Sequence, residues 1–500
     1  MAADTLASSL PVAELYSSDY CEYYGLLPLE IAEGRLRVAV AGDPNQEAIA
    51  DLADTYGAPI ELVPIEPDQL SEAIKRTFAE ADSVVELAHD LAADLAPDSP
   101  AEESLADARD LANQPPVIKF VNLLIRDAFE AGASDIHLES SESGLRVRLR
   151  IDGVLSELAA PPQGLQAAIV SRLKLLAELD IAERRTPQDG RIRARLESRD
   201  LDLRVSTAPT MYGESVVLRL LDRGGAPVTL DALGMAPQAL TAFRRLAGRA
   251  HGILLATGPT GSGKTTTLYA ALGLRHPSEE KIITVEDPIE YRLPGVTQVP
   301  VHSKTGVTFG TALRSILRQD PDVLMVGEMR DRETAAIAIQ AAMTGHLVFS
   351  SLHTNDAVTA LTRLLDLGVE SYLLAGTIEG VLAQRLVRRI CPDCRAPYQP
   401  EPGAVQILTE GRPLPTRGHP FERGTGCAAC RQTGFRGRTG IFELLSMTDD
   451  LRHAVSRAPV PAALRALARE QGMVTLKEDG WSKVRAGITT VEEVLRVAGD

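Results

Sequence analysis

Apolar blocks alternate with helix-like stretches between residues 225 and 388, and this pattern predicts a sheet that is buried on both faces. The blocks are short and rich in β-branched residues; they read ILLAT, IITVE, VLMVGE and LVFSSLH. Each block precedes a helix-like segment, an order typical of a mostly parallel sheet covered by helices. We therefore expect an α/β domain in this region.

Residues 114–224 follow a different pattern, in which apolar and polar residues alternate. An amphipathic helix, VIKFVNLLIRDAFEAG, ends at Gly132, and a second helix is expected from Leu165 to Leu179. Around them lie the segments DIHLE, LRVRLRI, RIRARL, LDLRVST and SVVLRLLD. Such alternation indicates strands with one buried face, so these residues predict a second, mixed α/β domain.

The two ends of the chain differ from these domains. In residues 1–80 a strand is expected from Leu36 to Ala41, then a turn at GDPN and a helix from Gln46 to Tyr56, which predicts a small α/β module. Residues 81–113 are rich in Ala, Asp and Glu, as in an acidic linker. Residues 389–445 carry the paired cysteines, and residues 446–500 predict a helical tail.

Composition narrows the classes of function. The chain has 500 residues, enough for several domains. Its net charge of -16 and its 4% of aromatic residues argue against a nucleic-acid-binding protein. No apolar run of 18 residues and no basic flank with an apolar block at the start are present, so we expect neither a spanning helix nor a secretory signal. These features favour a cytoplasmic protein.

The segment GPTGSGKT, residues 258–265, matches the phosphate-binding loop of nucleotide-hydrolysing proteins. It follows the strand ILLAT and precedes the helix TTLYAALGL, which is the context that the motif requires; the alternative is a glycine-rich turn that only mimics it. Lys264 is expected to reach the β and γ phosphates, and Thr265 to bind Mg²⁺. The predicted nucleotide-binding residues are Gly258, Pro259, Thr260, Gly261, Ser262, Gly263, Lys264, Thr265 and Thr266.

Acidic residues follow two of the buried strands. Glu328 ends VLMVGE, where a carboxylate could polarise an attacking water. IITVEDPIEY brings Glu286, Asp287 and Glu290 towards the same sheet edge, suited to hold Mg²⁺ or water. An acid at a strand end is often only solvated, so it is the combination with the phosphate-binding loop that predicts a site.

Histidines and arginines give weaker signals. His346 and His353 flank the strand LVFSSL, where they could sense the γ phosphate or only satisfy hydrogen bonds in a core. Arg204 and Arg219 lie on strands of the 114–224 domain. Arginines can stabilise the charge that develops during phosphoryl transfer, although most surface arginines only solubilise.

The four paired cysteines predict a zinc site. They form two CxxC pairs, and in a reducing compartment this spacing favours a metal over a disulfide; a redox dithiol and plain structural cysteines are the alternatives. Four protein ligands leave no open position, so the zinc would be structural. The predicted ligands are Cys391, Cys394, Cys427 and Cys430.

The motifs, taken in order, resemble those of the secretion ATPase family, and more narrowly of the type II secretion ATPases. They include SDIHLE, RIDGVL, PQDGR, LRVST, GESVVLRLLD, GPTGSGKTTTLYAAL, TVEDPIEY, LRQDPDVLMVGEMRDRETA, TGHLVFSSLHTND, RICPDC and FRGRTGIFELL. The resemblance runs from about residue 115 to the end, and residues 1–80 share weaker motifs with the amino-terminal domain of the family.

This resemblance implies a fold and a set of site residues. The expected fold is a multidomain α/β chain: a small N-terminal α/β module, a PAS-like domain and a RecA-like ATPase domain with an inserted four-cysteine zinc subdomain and a helical C-terminal tail. Glu328 would be the catalytic base, Glu286 would fall in the aspartate box, and His346 and His353 in the histidine box. Arg204 and Arg219 would contact the nucleotide phosphates.

The resemblance also implies partners and cofactors. We expect a homo-hexamer that uses ATP, Mg²⁺ and Zn²⁺ and binds no nucleic acid. Residues 1–80 would dock on the cytoplasmic domain of an inner-membrane type II secretion assembly protein of the L type, and the ring would act on the inner-membrane platform protein. The protein would thus be cytoplasmic and peripherally bound to the inner membrane.

Three alternatives remain at this point. Type IV pilus assembly ATPases share nearly all of these motifs. A nucleic-acid motor is a different class with the same ATPase fold, although the acidic charge weighs against it. A nucleotide-binding scaffold without hydrolysis is the third, and the presence of Lys264, Thr265 and Glu328 together argues against it.

Overall fold

A computed structural model describes residues 18–32, 35–42, 45–77, 84, 112–158, 160–161, 163–196, 199–222, 228–411, 421–457 and 460–499. The chain divides into two compact units. The first is built mainly from residues before 220, and the second mainly from residues 220–500.

The first unit begins with a small three-stranded sheet. Strand β2 lies in the middle, antiparallel to β1 and parallel to β3. Leu27 packs with residues of helix α3 on one face and Leu36 with residues of α2 on the other, so both faces are covered. The elements are α1 (Ser18–Tyr24), β1 (Leu26–Ala32), β2 (Arg35–Val40), α2 (Gln46–Tyr56), β3 (Ile60–Pro64) and α3 (Pro67–Thr77).

Strand β2 confirms the strand predicted from Leu36 to Ala41, and helix α2 confirms the helix predicted from Gln46 to Tyr56. Most of the predicted acidic linker, residues 81–113, lies outside the described residues.

A six-stranded sheet follows, in the order β6-β5-β4-β9-β8-β7. The elements are α4 (Pro115–Glu130), β4 (Ala133–Ser141), β5 (Gly144–Ile151), β6 (Val154–Leu158), α5 (Gln166–Leu176), β7 (Gln188–Leu196), β8 (Arg199–Thr210) and β9 (Gly213–Asp222). All five predicted segments are strands. Helix α5 ends three residues before the predicted Leu179, because Glu178 adopts a left-handed backbone conformation, φ 57°, that ends a helix.

The second unit is organised around a larger sheet. Its first six strands are parallel and lie in the order β12-β11-β13-β14-β10-β15. The elements are α6 (Pro237–Ala247), β10 (Gly252–Thr257), α7 (Lys264–Leu272), β11 (Ile282–Glu286), β12 (Thr297–Pro300), α8 (Phe309–Ile316), β13 (Val323–Val326), α9 (Arg332–Met343), β14 (Leu347–Leu352), α10 (Ala357–Asp366), α11 (Ser371–Thr377) and β15 (Ile378–Ile390).

Every residue of β10, β11, β13 and β14 is buried, which explains why these strands read as continuous apolar blocks. The predicted parallel, helix-covered sheet is confirmed.

The cysteine segment is inserted between two strands of this sheet. After β15 come β16 (Arg395–Tyr398), α12 (Pro402–Leu408) and β17 (Phe421–Gly424), and then β18 (Phe435–Ser446) returns to pair antiparallel with β15. The region predicted as the zinc-binding subdomain, residues 389–445, therefore contains most of a strand of the ATPase sheet. Ile441 and Phe442 of β18 join the hydrophobic clusters on opposite faces of the sheet, which holds the strand there.

Four helices form the predicted helical tail. They are α13 (Asp449–Arg457), α14 (Pro461–Glu470), α15 (Leu476–Arg485) and α16 (Val491–Ala498). Apolar residues of all four helices belong to the main hydrophobic core of the second unit. Among the described residues, no helix is long and apolar enough to cross a membrane.

A buried ion pair fixes the last helix to the sheet. Glu493 of α16, whose side chain is 4% exposed, pairs with Arg388 of β15, and Arg496 donates to both of its carboxylate oxygens at 3.0 and 2.9 Å. The Arg388 guanidinium also lies 4.1 Å from the ring centre of Phe435. Burial alone would raise the pKa of Glu493, but the hydrogen bonds and charges of the two arginines lower it to about 2.

We expect Glu493→Gln to destabilise the second unit by about 3 kcal/mol, because Arg388 loses its charged partner in a buried site. Since the pKa of Glu493 is about 2, against an ordinary value of 4.5, the ionised group stabilises the fold above about pH 4.5. This stabilisation is lost as the pH falls towards 2. Thermal unfolding at pH 7 and pH 3 should therefore show a smaller difference between variant and wild type at the lower pH.

Glu470→Gln, at an exposed acid of α14, is the matched control and should unfold like the wild type at both values of pH. If the melting temperatures of Glu493→Gln and wild type differ by the same amount at pH 7 and pH 3, the ionised Glu493 is not the source of the stabilisation.

Candidate nucleotide and metal sites

The phosphate-binding loop connects β10 to α7 and depends on its glycines. Gly258, Gly261 and Gly263 have φ values of 149°, 77° and 88°, which L side chains rarely adopt. A Cβ atom at Gly258 would also lie 2.5 Å from the carbonyl oxygen of Gln384. The loop can thus follow this path only with glycine, and it leads directly into the amino terminus of α7, where phosphates are favoured.

Lys264 is the first residue of α7 and closes the loop. Its Nζ donates to the carbonyl oxygens of Gly258 at 2.8 Å and of Pro259 at 3.1 Å. Burial lowers the pKa of Lys264 to about 8; the nearby Glu328 opposes this shift and the nearby Arg385 adds to it. Lys264 thus lies within the electrostatic reach of both side chains.

Glu328 lies just beyond the carboxyl end of β13 and is 8% exposed. One carboxylate oxygen pairs with Arg330, and the other lies 3.2 Å from Nε2 of His353. His353 follows β14, the strand between β13 and β10, so the three parallel strands bring these groups to one edge. A carboxylate in this position can accept a proton from an attacking water.

Two side chains of β15 were missed by the sequence reasoning. Gln384 is 1% exposed and accepts a hydrogen bond from Thr267 of α7 at 2.6 Å. Arg385 is 8% exposed and donates to the carbonyl oxygen of Asn355 at 2.9 Å, in the loop that carries His353. The available signal was a Gln-Arg pair between the apolar segments GVLA and LV of β15, since buried polar residues need partners.

The structure does not bring His346 to this cluster. His346 precedes β14, whereas His353 follows it, and six residues of strand span about 20 Å. Its Nδ1 lies 2.9 Å from the carbonyl oxygen of Ala341, at the end of α9. This placement matches the alternative interpretation of a hydrogen-bonded structural histidine.

Glu286 also has partners of its own. It is 2% exposed, and its carboxylate accepts hydrogen bonds from Tyr269, from Thr284 at 2.5 Å and from Gln298 at 3.1 Å. Its strand, β11, is the third from β10 in the sheet order. The described contacts thus tie Glu286 to α7 and β12.

Arg204 and Arg219 line one pocket in the first unit. The pocket has a volume of about 470 Å³ and lies across β7, β8 and β9. Nε of Arg219 donates to Asp135, directly opposite on β4, at 2.9 Å, and the Arg219 side chain remains 57% exposed. Arg191 lines the same pocket and was not singled out from the sequence. Three arginines on one concave face form a surface suited to anions.

The four predicted metal ligands form one cluster. Their sulfur atoms lie within 4.8 Å of one another, and three pairs are separated by 3.7, 3.8 and 3.9 Å. These distances exclude a disulfide, whose sulfur atoms are about 2.05 Å apart. They match the spacing of about 3.8 Å between sulfurs that are each 2.3 Å from one tetrahedral zinc ion. The cluster consists of Cys391, Cys394, Cys427 and Cys430.

Backbone amides support negative charge on this cluster. The Sγ atom of Cys430 accepts from the N–H groups of Cys427 and Gly434, both at 3.2 Å, and that of Cys394 accepts from Gly426 at 3.3 Å. Burial alone would raise the pKa of Cys430, but the N–H groups of Cys427 and Gly434 and the hydrogen bonds with the Cys427 and Cys394 thiols lower it to about 6. Thiolates are the form that binds zinc.

A glycine loop closed by a lysine and a carboxylate at the same sheet edge define a P-loop ATPase, here with a four-cysteine insertion. More narrowly, the chain belongs to the type II/IV secretion system protein family, whose model matches residues 110–496. An MshEN domain matches residues 2–84.

Relatives and a solved structure agree with this family. Type II secretion system protein E of Xanthomonas campestris pv. campestris is 46% identical, over 99% of this chain and 87% of its own length. Type II secretion system ATPase E of Vibrio cholerae is 47% identical, over 86% of this chain and 84% of its own length. The pilus retraction motor PilT, solved with bound ADP, is 27% identical with a TM-score of 0.51, over 75% of this chain and 96% of its own. The expected multidomain α/β fold is confirmed.

We expect Glu328→Gln to lower kcat for ATP hydrolysis by about 100- to 10,000-fold, because the amide cannot accept the proton of the attacking water. Nucleotide affinity should change little, since Lys264 and the loop backbone are untouched. Steady-state hydrolysis and ADP binding by calorimetry measure the two effects.

Glu279→Gln, at an exposed glutamate of the same domain, is the control and should retain full activity. Unchanged hydrolysis by the Glu328→Gln protein would show that another group is the base.

Proposed function

We propose that the chain is the ATP-hydrolysing motor of a type II secretion system, which powers pseudopilus assembly and the export of folded proteins across the outer membrane. The observation that carries this proposal is the buried Glu328, held beside His353 and within the electrostatic reach of Lys264. The support for secretion is the identity of 46% to a type II secretion system protein E over 99% of the chain.

In this proposal each residue of the ATPase site has a distinct task. The backbone N–H groups of residues 258–266 hold the phosphates, except at Pro259, which has none. Lys264 leaves the carbonyl oxygens of the loop for the β and γ phosphates. Mg²⁺, when bound, neutralises the charge that develops on the phosphate oxygens. Thr265 would hold it through its hydroxyl. Glu328 takes the proton of the attacking water, and His353 orients the Glu328 carboxylate. His346 has no part in this scheme.

We further propose that the arginine pocket supplies cations to the nucleotide when chains assemble into a homo-hexamer. The support is the concave face on which Arg204 and Arg219 lie together, with Arg219 still largely exposed. Guanidinium groups suit this role because they remain charged and bind phosphate oxygens in pairs.

The four-thiol cluster is proposed to hold a structural zinc ion. The sulfur spacing and the three N–H···S hydrogen bonds support this assignment. All four ligands come from the insertion between β15 and β18, so the ion would stabilise that insertion and take no part in hydrolysis.

The proposed partners are proteins of the inner membrane. The N-terminal module, which matches the MshEN domain over residues 2–84, would bind the cytoplasmic domain of an L-type assembly protein. The ring would then act on the platform protein, so that a cytoplasmic ATPase becomes peripherally bound to the inner membrane.

The function can be tested in cells whose only copy of the gene encodes Glu328→Gln. A secreted, folded enzyme should accumulate in the periplasm while surface pili remain normal. Loss of surface pili with normal secretion would instead assign the chain to type IV pilus assembly.

We expect Arg204→Ala and Arg219→Ala each to lower kcat by about 100-fold, comparable to the loss of one donor at a site of developing charge. Arg146→Ala is the matched control, since Arg146 is an exposed arginine of β5 in the same sheet. Hydrolysis is measured on the assembled protein. Thermal unfolding checks that the Arg219→Ala protein still folds although Asp135 has lost its ion-pair partner. Normal kcat in both variants would refute a role of the pocket in hydrolysis.

We expect one zinc ion per chain, measured by plasma mass spectrometry of the purified full-length protein. Cys391→Ser and Cys430→Ser should lose the metal, and chelation should lower the melting temperature of the wild type. Cys21→Ser is the control, because Cys21 lies in the N-terminal module and should not affect zinc content. A protein without zinc, with unchanged melting after chelation, would contradict the assignment.

A further inference from the structure

The surroundings of Glu286 differ from those of Glu328. Both of its carboxylate oxygens have donors: Tyr269 donates to one, and Thr284 and Gln298 donate to the other at 2.5 and 3.1 Å. The side chains of Tyr269, Thr284 and Glu286 are all at least 98% buried. A buried carboxylate with three donors is stabilised where it is, because leaving would break three hydrogen bonds.

The sheet keeps Glu286 away from the phosphate-binding loop. Strand β11 is separated from β10 by β13 and β14, and three strand spacings amount to about 14 Å. Side chains alternate along a strand, so Ile282, Thr284 and Glu286 share the face of the sheet that α7 covers. Ile282 indeed belongs to the cluster that contains Leu268 and Tyr269 of α7.

The contacts of Gln298 extend this cluster to the chain beyond β11. Gln298 Nε2 donates to the carbonyl oxygen of Tyr291 at 3.1 Å, and its Oε1 accepts from the N–H of Leu293 at 2.9 Å. The ring of Tyr291 meets the ring of Tyr269 edge to face, with centres 4.7 Å apart. The contacts of Glu286, Tyr269 and Gln298 thus join four elements, which are helix α7, strands β11 and β12 and the segment around Tyr291.

Tyr269 connects this point to the nucleotide site through the helix itself. Tyr269 follows Thr265 by four residues, so the two side chains lie on the same face of α7, one turn apart. Lys264 and Thr265 form the first turn of that helix. The position of α7 along its axis therefore determines where the lysine amine and the threonine hydroxyl lie.

We propose that Glu286 is a positioning residue that acts through Tyr269 on helix α7, and that it touches neither the nucleotide nor its metal ion. This inference rests on the proposed function, because it takes the loop at residues 258–265 to be a nucleotide site. Glu286 holds the Tyr269 hydroxyl, and Tyr269 holds the helix against β11.

Nucleotide binding without a divalent ion distinguishes this role from a catalytic one. ADP binding to the full-length protein in EDTA depends on Lys264 and the loop but needs neither Mg²⁺ nor an attacking water. We expect Tyr269→Phe and Glu286→Ala each to weaken ADP binding in EDTA by about fivefold, the size of one hydrogen bond. The double variant should bind no more weakly than Glu286→Ala alone, because both changes break the same connection.

A conservative variant of Glu286 should retain part of the ADP affinity that Glu286→Ala loses. Glu286→Gln keeps an oxygen that can accept from Tyr269, so its ADP affinity should lie between those of Glu286→Ala and the wild type. If Glu286→Ala does not fold, as judged by its melting temperature, Glu286→Gln combined with Tyr269→Phe completes the same cycle. Thr284→Val, which removes one donor to the other oxygen, is the matched control and should affect ADP binding less than Tyr269→Phe.

The opposite pattern would overturn the inference. If the Glu286 variants bind ADP in EDTA like the wild type but lose more than about 100-fold in kcat, the carboxylate contacts the reacting groups. Wild-type ADP binding and kcat in Tyr269→Phe would show that the tyrosine is not the connection. If the wild-type protein itself binds no ADP and Lys264→Ala changes nothing, the proposed function fails first.

Discussion

The close packing of the phosphate-binding loop against strand β15 is the constraint on which the second unit depends. The main chain of Gly258 passes so near the backbone carbonyl of Gln384 that no side chain fits. A Cβ atom at Gly263 would lie 2.7 Å from the side-chain nitrogen of Gln384. Since β15 pairs with β10 on the side opposite β14, the loop lies between two neighbouring strands. The loop is therefore held by its packing against β15 as well as by helix α7, into which it leads.

This constraint explains why the chain tolerates a large insertion beside its phosphate-binding loop. Strand β15 is fixed by β10 on one side and by β18 on the other, and β18 follows the four-cysteine segment. A metal ion that closes the insertion would thus bring β18 back into register with β15. The ion pair of Glu493 with Arg388 fixes the far end of the same strand. Strand pairing on both sides and this ion pair hold the strand against which the loop packs, and a bound metal ion would add a third constraint.

Much of this arrangement could be predicted from the sequence, because its strongest signals are local. A buried parallel strand reads as an apolar block, and a phosphate-binding loop has its glycines within eight residues. The paired cysteines are recognised by their CxxC spacing. The contribution of β18 to the ATPase sheet was not predictable, because that pairing joins segments separated by the whole insertion. Arg385 was missed because its partner, the carbonyl of Asn355, has no sequence signature.

The two glutamates illustrate why the pattern could not assign a role to each acid. Glu286 is the last residue of the buried strand β11, and Glu328 follows the buried strand β13. Nothing in the hydrophobic pattern around them separates a proton acceptor from a structural anchor. The structure gives the two carboxylates different partners. The Glu286 carboxylate has a donor on each oxygen from rigid elements of the core, whereas Glu328 faces Arg330 and His353, whose side chains are 67% and 48% exposed.

Exposed partners can move when a substrate arrives, and buried partners cannot without a loss of packing. The carboxylate whose partners are free to move is therefore the one that can exchange a hydrogen bond for a water molecule. The two histidines that flank β14 also differ. His353 lies beside Glu328, whereas Nδ1 of His346 lies 2.9 Å from the carbonyl oxygen of Ala341 in α9. The polar groups that the core leaves able to move at this sheet edge are therefore those beside Glu328.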